Sequence, residues 1–291
     1  MPAGANPDMT SMVREELSIP VDPRVTVMAT AIAAQYPGSA RAVLFYGSCL
    51  RETQLDGLML DFYLIVSDYG DAYPKRWMAL ANRLIPPNVF PFQHDGLIAK
   101  YAVLSEADFH RLNGPETRNV SVWARFAQPS RLVWAVDDTA RDRAIAAVAR
   151  AAPTLLAAAG WTDGEGPLDW WRRAFSLTYS VELRAERTTR AQSVVDADPD
   201  RYLRFSAPAI ARVGFDAPSG GWGRRQIEGK LLSIARLAKA SLTYAGGIDY
   251  LAWKINRHAG TKIEIKPWQR RWPLVAALTL VPRLMKSGAI R

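Results

Sequence analysis

Apolar positions recur along the chain with two different periods. Between about residues 20 and 150, short apolar runs alternate with stretches of helical spacing. Asp22 opens a helix through Tyr36, with Pro23 in the first turn where its missing N–H costs nothing. Ala42–Tyr46 and Leu58–Val66 are compact apolar runs of strand length, and the first ends in Gly47-Ser48. A helical stretch, Tyr73–Leu84, closes at Pro86-Pro87. Gly96–Leu104 predicts another strand, and Ser105 caps a short helix with Asp108 at the capping-box position. Arg131–Val136 predicts the last strand of this half. Strands alternating with helices point to a mixed sheet carrying helices.

The second half loses the two-residue period. An Ala-rich helix, Arg141–Ala159, runs into the loop Gly160–Pro167, which reads as a domain boundary. Beyond it the spacing is helical over Leu168–Arg187, Pro199–Phe205, Gly223–Tyr244 and Ile248–His258. The expected fold class is therefore α+β. Residues 1–20 form a flexible, polar N-terminus with a short helix near Val13–Leu17, and 21–160 form a sheet domain. Residues 161–266 form a mostly helical domain, and 267–291 a basic amphipathic tail.

Composition narrows the picture. The chain has 291 residues, 49% apolar and 22% charged, enough to bury a core without covalent staples. Its one cysteine, Cys49, excludes a disulfide framework and a Cys-rich zinc site, and fits a reducing compartment. His94, His110 and His258 have no ligand spacing. No uncharged apolar run reaches the length of about 18 residues that a spanning helix needs. Met1–Glu16 lacks the basic flank and apolar core of a signal peptide.

Charge is unevenly placed. The net charge is +9, yet Arg224–Arg291 carries 14 Lys/Arg against 3 Asp/Glu, leaving the remainder slightly acidic. Such a segment seeks phosphate, on a nucleic acid or on an anionic membrane. At its end Trp268, Arg270, Arg271, Trp272, Arg283 and Lys286 flank the apolar patch Leu274–Val281. Eight residues span only about 12 Å as a helix, so the patch suits the headgroup boundary rather than the bilayer interior. A terminal helix docked on the body with ordinary surface cations is the alternative.

The chemistry concentrates in Phe45-Tyr46-Gly47-Ser48, followed after twelve residues by Asp61-Phe62-Tyr63-Leu64. A strand ending in Gly-Ser, then an acid inside a second apolar strand, is the pattern of the nucleotidyltransferase superfamily. Gly47 lets the backbone approach a triphosphate, Ser48 donates to its terminal phosphates, and Asp61 is placed to hold Mg²⁺ or Mn²⁺. An unpaired carboxylate within so apolar a strand would cost several kcal/mol, roughly, so Asp61 requires compensation. The second acid usual in that superfamily is missing, because Tyr63 stands two residues on. Cys49 adjoins the bend without a partnered histidine and reads as a packing residue.

These segments resemble the mitochondrial-type phosphatidate cytidylyltransferases, also described as translocator assembly and maintenance proteins. Met59-Leu60-Asp61-Phe62 is similar to that family's Met-x-Asp-Phe strand, which also lacks a second acid. Ala99-Lys100-Tyr101-Ala102-Val103 is similar to its Lys-Tyr-Gly-Val strand, and Trp123–Pro129 to its Ala-Gly-Arg-Leu-x-Lys-Pro stretch. Leu177-Thr178-Tyr179-Ser180-Val181-Glu182-Leu183-Arg184 resembles its Leu-Ser-Tyr-x-Gly-Asp-x-Arg helix, with Val181 and Glu182 replacing Gly and Asp. Cys49 also stands where the family has a small residue after Gly-Ser.

The resemblance implies a nucleotidyltransferase-like sheet domain followed by a helical domain. It implies an enzyme joining CTP to phosphatidic acid, giving CDP-diacylglycerol and pyrophosphate. Asp61 and Glu182 would hold the metal and act with Ser48 in catalysis. Tyr46, Gly47, Ser48, Lys100, Arg125, Tyr179 and Arg184 would bind the nucleotide or lipid phosphate. The expected location is cytoplasmic and peripheral, on the inner face of the membrane. Two other readings stay open here: the same chemistry on RNA, protein or a small molecule, with the basic segment binding RNA, or a non-catalytic lipid or nucleic-acid binding module. Lys100, Arg125, Glu182 and Arg184 equally fit solvated surface positions, Glu182 through i,i+4 patterning with Glu186.

Overall fold

Residues 8–51, 55–181, 194–213, 220–243 and 266–267 are described in a computed structural model of the chain. A five-stranded mixed sheet organises it: β1 (Ala40–Tyr46), β2 (Met59–Val66), β3 (Asn88–His94), β4 (Leu97–Ser105) and β5 (Ser130–Ala135), in spatial order β3-β4-β2-β1-β5. β2 and β4 run parallel and every other neighbouring pair is antiparallel. The helices are α1 (Met9–Leu17), α2 (Pro23–Ala34), α3 (Tyr69–Ala72), α4 (Arg76–Leu84), α5 (Glu106–Leu112) and α6 (Trp123–Phe126). They continue with α7 (Asp138–Val148), α8 (Ala151–Ala159), α9 (Pro167–Tyr179), α10 (Pro199–Val213) and α11 (Trp222–Thr243). The fold is thus α+β, as expected.

Alternation along the strands sends side chains to two cores. On one face, Val43, Phe45, Leu60, Phe62 and Leu64 pack with Val25, Met28 and Ile32 of α2 and with α3. On the other, Leu44, Tyr63, Ile65 and Leu104 pack with Trp123, Leu155, Trp170, Trp171, Tyr202 and Phe205. β1 and β2 are buried on both faces, which explains why both read as near-continuous apolar runs. The second core runs unbroken from the sheet into α9 and α10, so the helical half shares its interior with the sheet.

Several elements depart from the sequence expectation. The N-terminus is not loose from Met9 onward. Met9, Met12, Val13, Glu16 and Leu17 form the buried stripe of α1, and Asp8 caps it by accepting from Ser11 N. Glu16 lies buried against Arg201 of α10, whose Nη2 donates to Glu16 Oε1 at 3.0 Å and whose Nη1 donates to Ala127 O at 3.1 Å. The single helix expected over Arg141–Ala159 is two, broken at Ala149-Arg150, with Pro153 in the first turn of α8. β3 was not expected. It holds Pro91, and it tolerates that residue because it is the edge strand. α10 continues past Phe205 to Val213 with Pro208 inside it. Gly160–Pro167 is a turn joining α8 to α9, both of which contribute to the same core.

Candidate active site

Asp61 sits on the sheet face that carries Tyr63 and Ile65, toward the helical half. One register line crosses four strands there: Lys100 of β4 pairs with Asp61, Asp61 with Tyr46, and Tyr46 with Ser130 of β5. Lys100 Nζ stands 3.0 Å from Asp61 Oδ1, an ion-pair distance without hydrogen-bond alignment. Their side chains are 28% and 21% exposed, so the pair is partly withdrawn from water but reachable from it. Lys100 thereby provides the compensation that an acid in this strand requires.

The bend after β1 is built around the acid. Gly47 has φ +96°, and a Cβ placed on it would come 3.2 Å from Asp61 Oδ2. That is tighter than ordinary van der Waals contact, so a side chain here would force the carboxylate or the bend to give way, and the positive φ also favours glycine. Ser48 follows as an exposed residue and opens a single 3-10 turn, Ser48–Arg51, closed by Leu50 N donating to Gly47 O at 3.2 Å. Cys49 is buried beneath it, and its thiol reaches Met59 O at 3.5 Å, in keeping with a packing role.

Tyr63, two residues after Asp61, is a core residue. Its ring centroid lies 5.2 Å from that of Tyr46 and 5.1 Å from that of Phe126, and a carboxylate there would be buried in this aromatic cluster. Its hydroxyl is 3.4 Å from Arg125 Nη1, and the same nitrogen donates to Ser121 O at 2.9 Å. α6 thus holds the Arg125 guanidinium above the strand that bears Asp61. Sequence reasoning overlooked Tyr63 as a positioning partner of Arg125, and it overlooked Ser130, whose hydroxyl is buried and makes no hydrogen bond among the described residues. The signal for Ser130 was its place directly after Gln128-Pro129, at the end of a stretch already singled out.

The structure therefore brings together Tyr46, Gly47, Asp61 and Lys100, with Ser48 in the turn that follows Gly47 and Arg125 over Tyr63. Tyr179, the last residue of α9, packs at the margin of the core on this face. Glu182 and Arg184 lie outside the described residues, as do Trp268, Arg270, Arg271, Trp272, Arg283 and Lys286. Among the described residues no three His, Cys, Asp or Glu side chains gather as a metal cluster. Mg²⁺ is commonly held through one or two carboxylates plus substrate phosphates and water, and Asp61 offers one carboxylate against a glycine cradle.

A separate cleft of about 180 Å³, lined by Val21, Asp22, Phe45, Cys49, Leu55 and Arg131, opens on the α2 side of the sheet, away from Asp61. No described helix is long and apolar enough to cross a membrane. Compared with known proteins, the sequence matches no family model and no curated protein.

Proposed function

We propose that the chain is a nucleotidyltransferase that joins CTP to phosphatidic acid at a membrane surface, as a peripheral protein on the inner face. The observation that carries this reading is the contact of the Asp61 carboxylate with the Gly47 bend, flanked by the Lys100 ammonium. In the reaction an oxygen of the lipid phosphate attacks the α-phosphorus of CTP. A new P–O bond forms, the bond from the α-phosphorus to the bridging oxygen breaks, and pyrophosphate leaves with that electron pair. A phosphate monoester is largely dianionic at neutral pH, its second pKa being about 6, so the attack needs no general base.

The chain's contribution is then positioning and charge. Gly47 brings main chain close to the triphosphate, Ser48 presents a hydroxyl donor, and Lys100 and Arg125 supply cations on the same sheet face. Mg²⁺ or Mn²⁺, held by Asp61 with Glu182 as the second carboxylate, would supply further charge neutralisation at the phosphates. Tyr46, Tyr179 and Arg184 complete the nucleotide and phosphate contacts in this reading.

The test is incubation of purified protein with each α-labelled nucleoside triphosphate, phosphatidic acid and Mg²⁺, followed by lipid extraction. Label enters the lipid from CTP, and Asp61→Asn abolishes it while the circular dichroism spectrum is unchanged. Unlabelled lipid with every nucleotide refutes the assignment. One observation favours a second reading, a non-catalytic binding module: Asp61 is already paired with Lys100, and it belongs to no group of three or more potential metal ligands among the described residues. On that reading calorimetry detects CTP or lipid binding that is indifferent to Mg²⁺.

A further inference from the structure

α4 is inside out. Its inward positions are Ala79 and Asn82, whose amide donates to Val103 O at 2.9 Å and also receives Asn88 N, tying the helix to the sheet by polar contacts. Of its four large apolar side chains only Met78 packs against the core; the other three face water, Trp77 at 47% exposed, Leu80 at 57% and Leu84 at 69%. Positions i, i+3 and i+7 share one face of a helix, so the three form a single outward stripe. Contiguous apolar stripes of this kind mark interaction surfaces.

Cations border the stripe. Lys75 and Arg76 precede Trp77 and are exposed, and Arg83 stands between Leu80 and Leu84. The acids nearby are Asp68, which pairs with Arg83 at 2.8 Å, and Asp71, which accepts from Ser67 Oγ. The basic C-terminal segment also arrives here. Arg236 and Lys239 of α11 donate to Pro86 O and Pro87 O, each at 2.8 Å, directly after the end of α4. The chain leaves α11 at Thr243 with nine further Lys/Arg against two Asp/Glu still to come.

We propose that the exposed face of α4 docks on an anionic lipid bilayer, with Trp77, Leu80 and Leu84 entering the headgroup boundary and Lys75 and Arg76 meeting lipid phosphates. Charge complementarity selects this occupant. A tryptophan and two leucines rimmed by cations match the interfacial helix, in which apolar burial and attraction to anionic lipid act together. α4 packs on the opposite side of the sheet from Asp61, and the inference needs no nucleotide chemistry.

The experiment is co-flotation of the full chain with phosphatidylcholine vesicles containing about one-third phosphatidic acid, read as a partition constant, alongside sedimentation velocity without lipid. Trp77→Ser/Leu80→Ser/Leu84→Ser is expected to fold normally, since all three side chains are solvent-facing, and to lower partitioning at least about tenfold, or 1.4 kcal/mol. Lys75→Glu/Arg76→Glu is expected to weaken partitioning on anionic vesicles and flatten its salt dependence. Unchanged partitioning by the triple variant overturns the proposal. A wild-type dimer that the triple variant reduces to monomer, with vesicle binding intact, overturns it in favour of a second copy of the chain. Neither measurement requires turnover, so the proposal fails or stands separately from the enzymatic one.

Discussion

Replacing Gly47 by alanine tests the carboxylate cradle in isolation, because the fold contains a matched control. Gly47 and Gly57 both have left-handed backbones, with φ +96° and +77°. An L-residue in that region costs about 1–2 kcal/mol. Both Gly47→Ala and Gly57→Ala should therefore lower stability by that amount, a fall in melting temperature of roughly 2–4 °C per kcal/mol for a chain of this size class. Their surroundings differ. A Cβ at 57 meets nothing within 4 Å, whereas one at 47 lies 3.2 Å from Asp61 Oδ2 and 3.6 Å from Asp61 Cβ. The first is tighter than ordinary van der Waals contact, so the carboxylate or the bend must shift by a few tenths of an ångström. Displacement of a reacting constellation by about 1 Å costs about a hundredfold, so a loss of roughly ten- to a hundredfold in kcat/KM is expected for Gly47→Ala alone. The assay is CDP-diacylglycerol formation on detergent-dispersed phosphatidic acid, with thermal melts of both variants. If Gly47→Ala turns over within twofold of Gly57→Ala, the contact with Asp61 has no part in the chemistry.

Two further perturbations address the scaffold. Glu16→Ala leaves the Arg201 guanidinium buried with its partner gone, 4.4 Å above the Phe205 ring, and should cost about 3–5 kcal/mol in urea denaturation. Glu16→Leu combined with Arg201→Met should recover part of it, and a loss below about 1 kcal/mol for the single change would show that the pair is not a fastener. Burial, with Arg236 close by, pulls the Lys239 ammonium down to about 7. In the unfolded chain a lysine titrates near 10.4, so between these values the unfolded state holds a proton that the folded state lacks. Stability should therefore rise with pH from about 7 toward 10, by at most about 1.4 kcal/mol per unit, and Lys239→Met should remove the rise. Parallel stability curves for the two proteins would contradict the burial of Lys239 as a charge-sensitive group.

The sheet was legible where local pattern and tertiary role agree. β1, β2, β4 and β5 announce themselves because their runs are buried by neighbours on both sides or end at clear turn residues. Asp22, Pro23 and Ser105 mark helix starts through side-chain chemistry that acts within three residues. What escaped depends on distant partners. β3 contains Pro91 and follows Pro86-Pro87, and only its position at the sheet edge makes that acceptable. α1 is polar on average, and its stripe matters because Arg201 waits for Glu16 from 185 residues away. The break before α8 was missed although Pro153 marks it, since in one long helix it would be an interior proline. At the site, the Gly47–Asp61 pairing followed from a strand, a return and a second strand. The Lys100 ion pair needed the parallel register of β4, which no local pattern specifies.

α11 also has a mechanical meaning. At one point it touches the end of α9 so closely that a Cβ on Gly229 would overlap Val181, and about 15 Å further along, at 1.5 Å per residue, Lys239 fastens it under the end of α4. A helix pinned at both points acts as a spacer bar. The distance between the α9 terminus and the end of α4 is thereby set by ten residues of rod. Inserting or deleting one turn between the two pins would have to slide the α9 terminus about 5.4 Å against the end of α4 or release one of the pins.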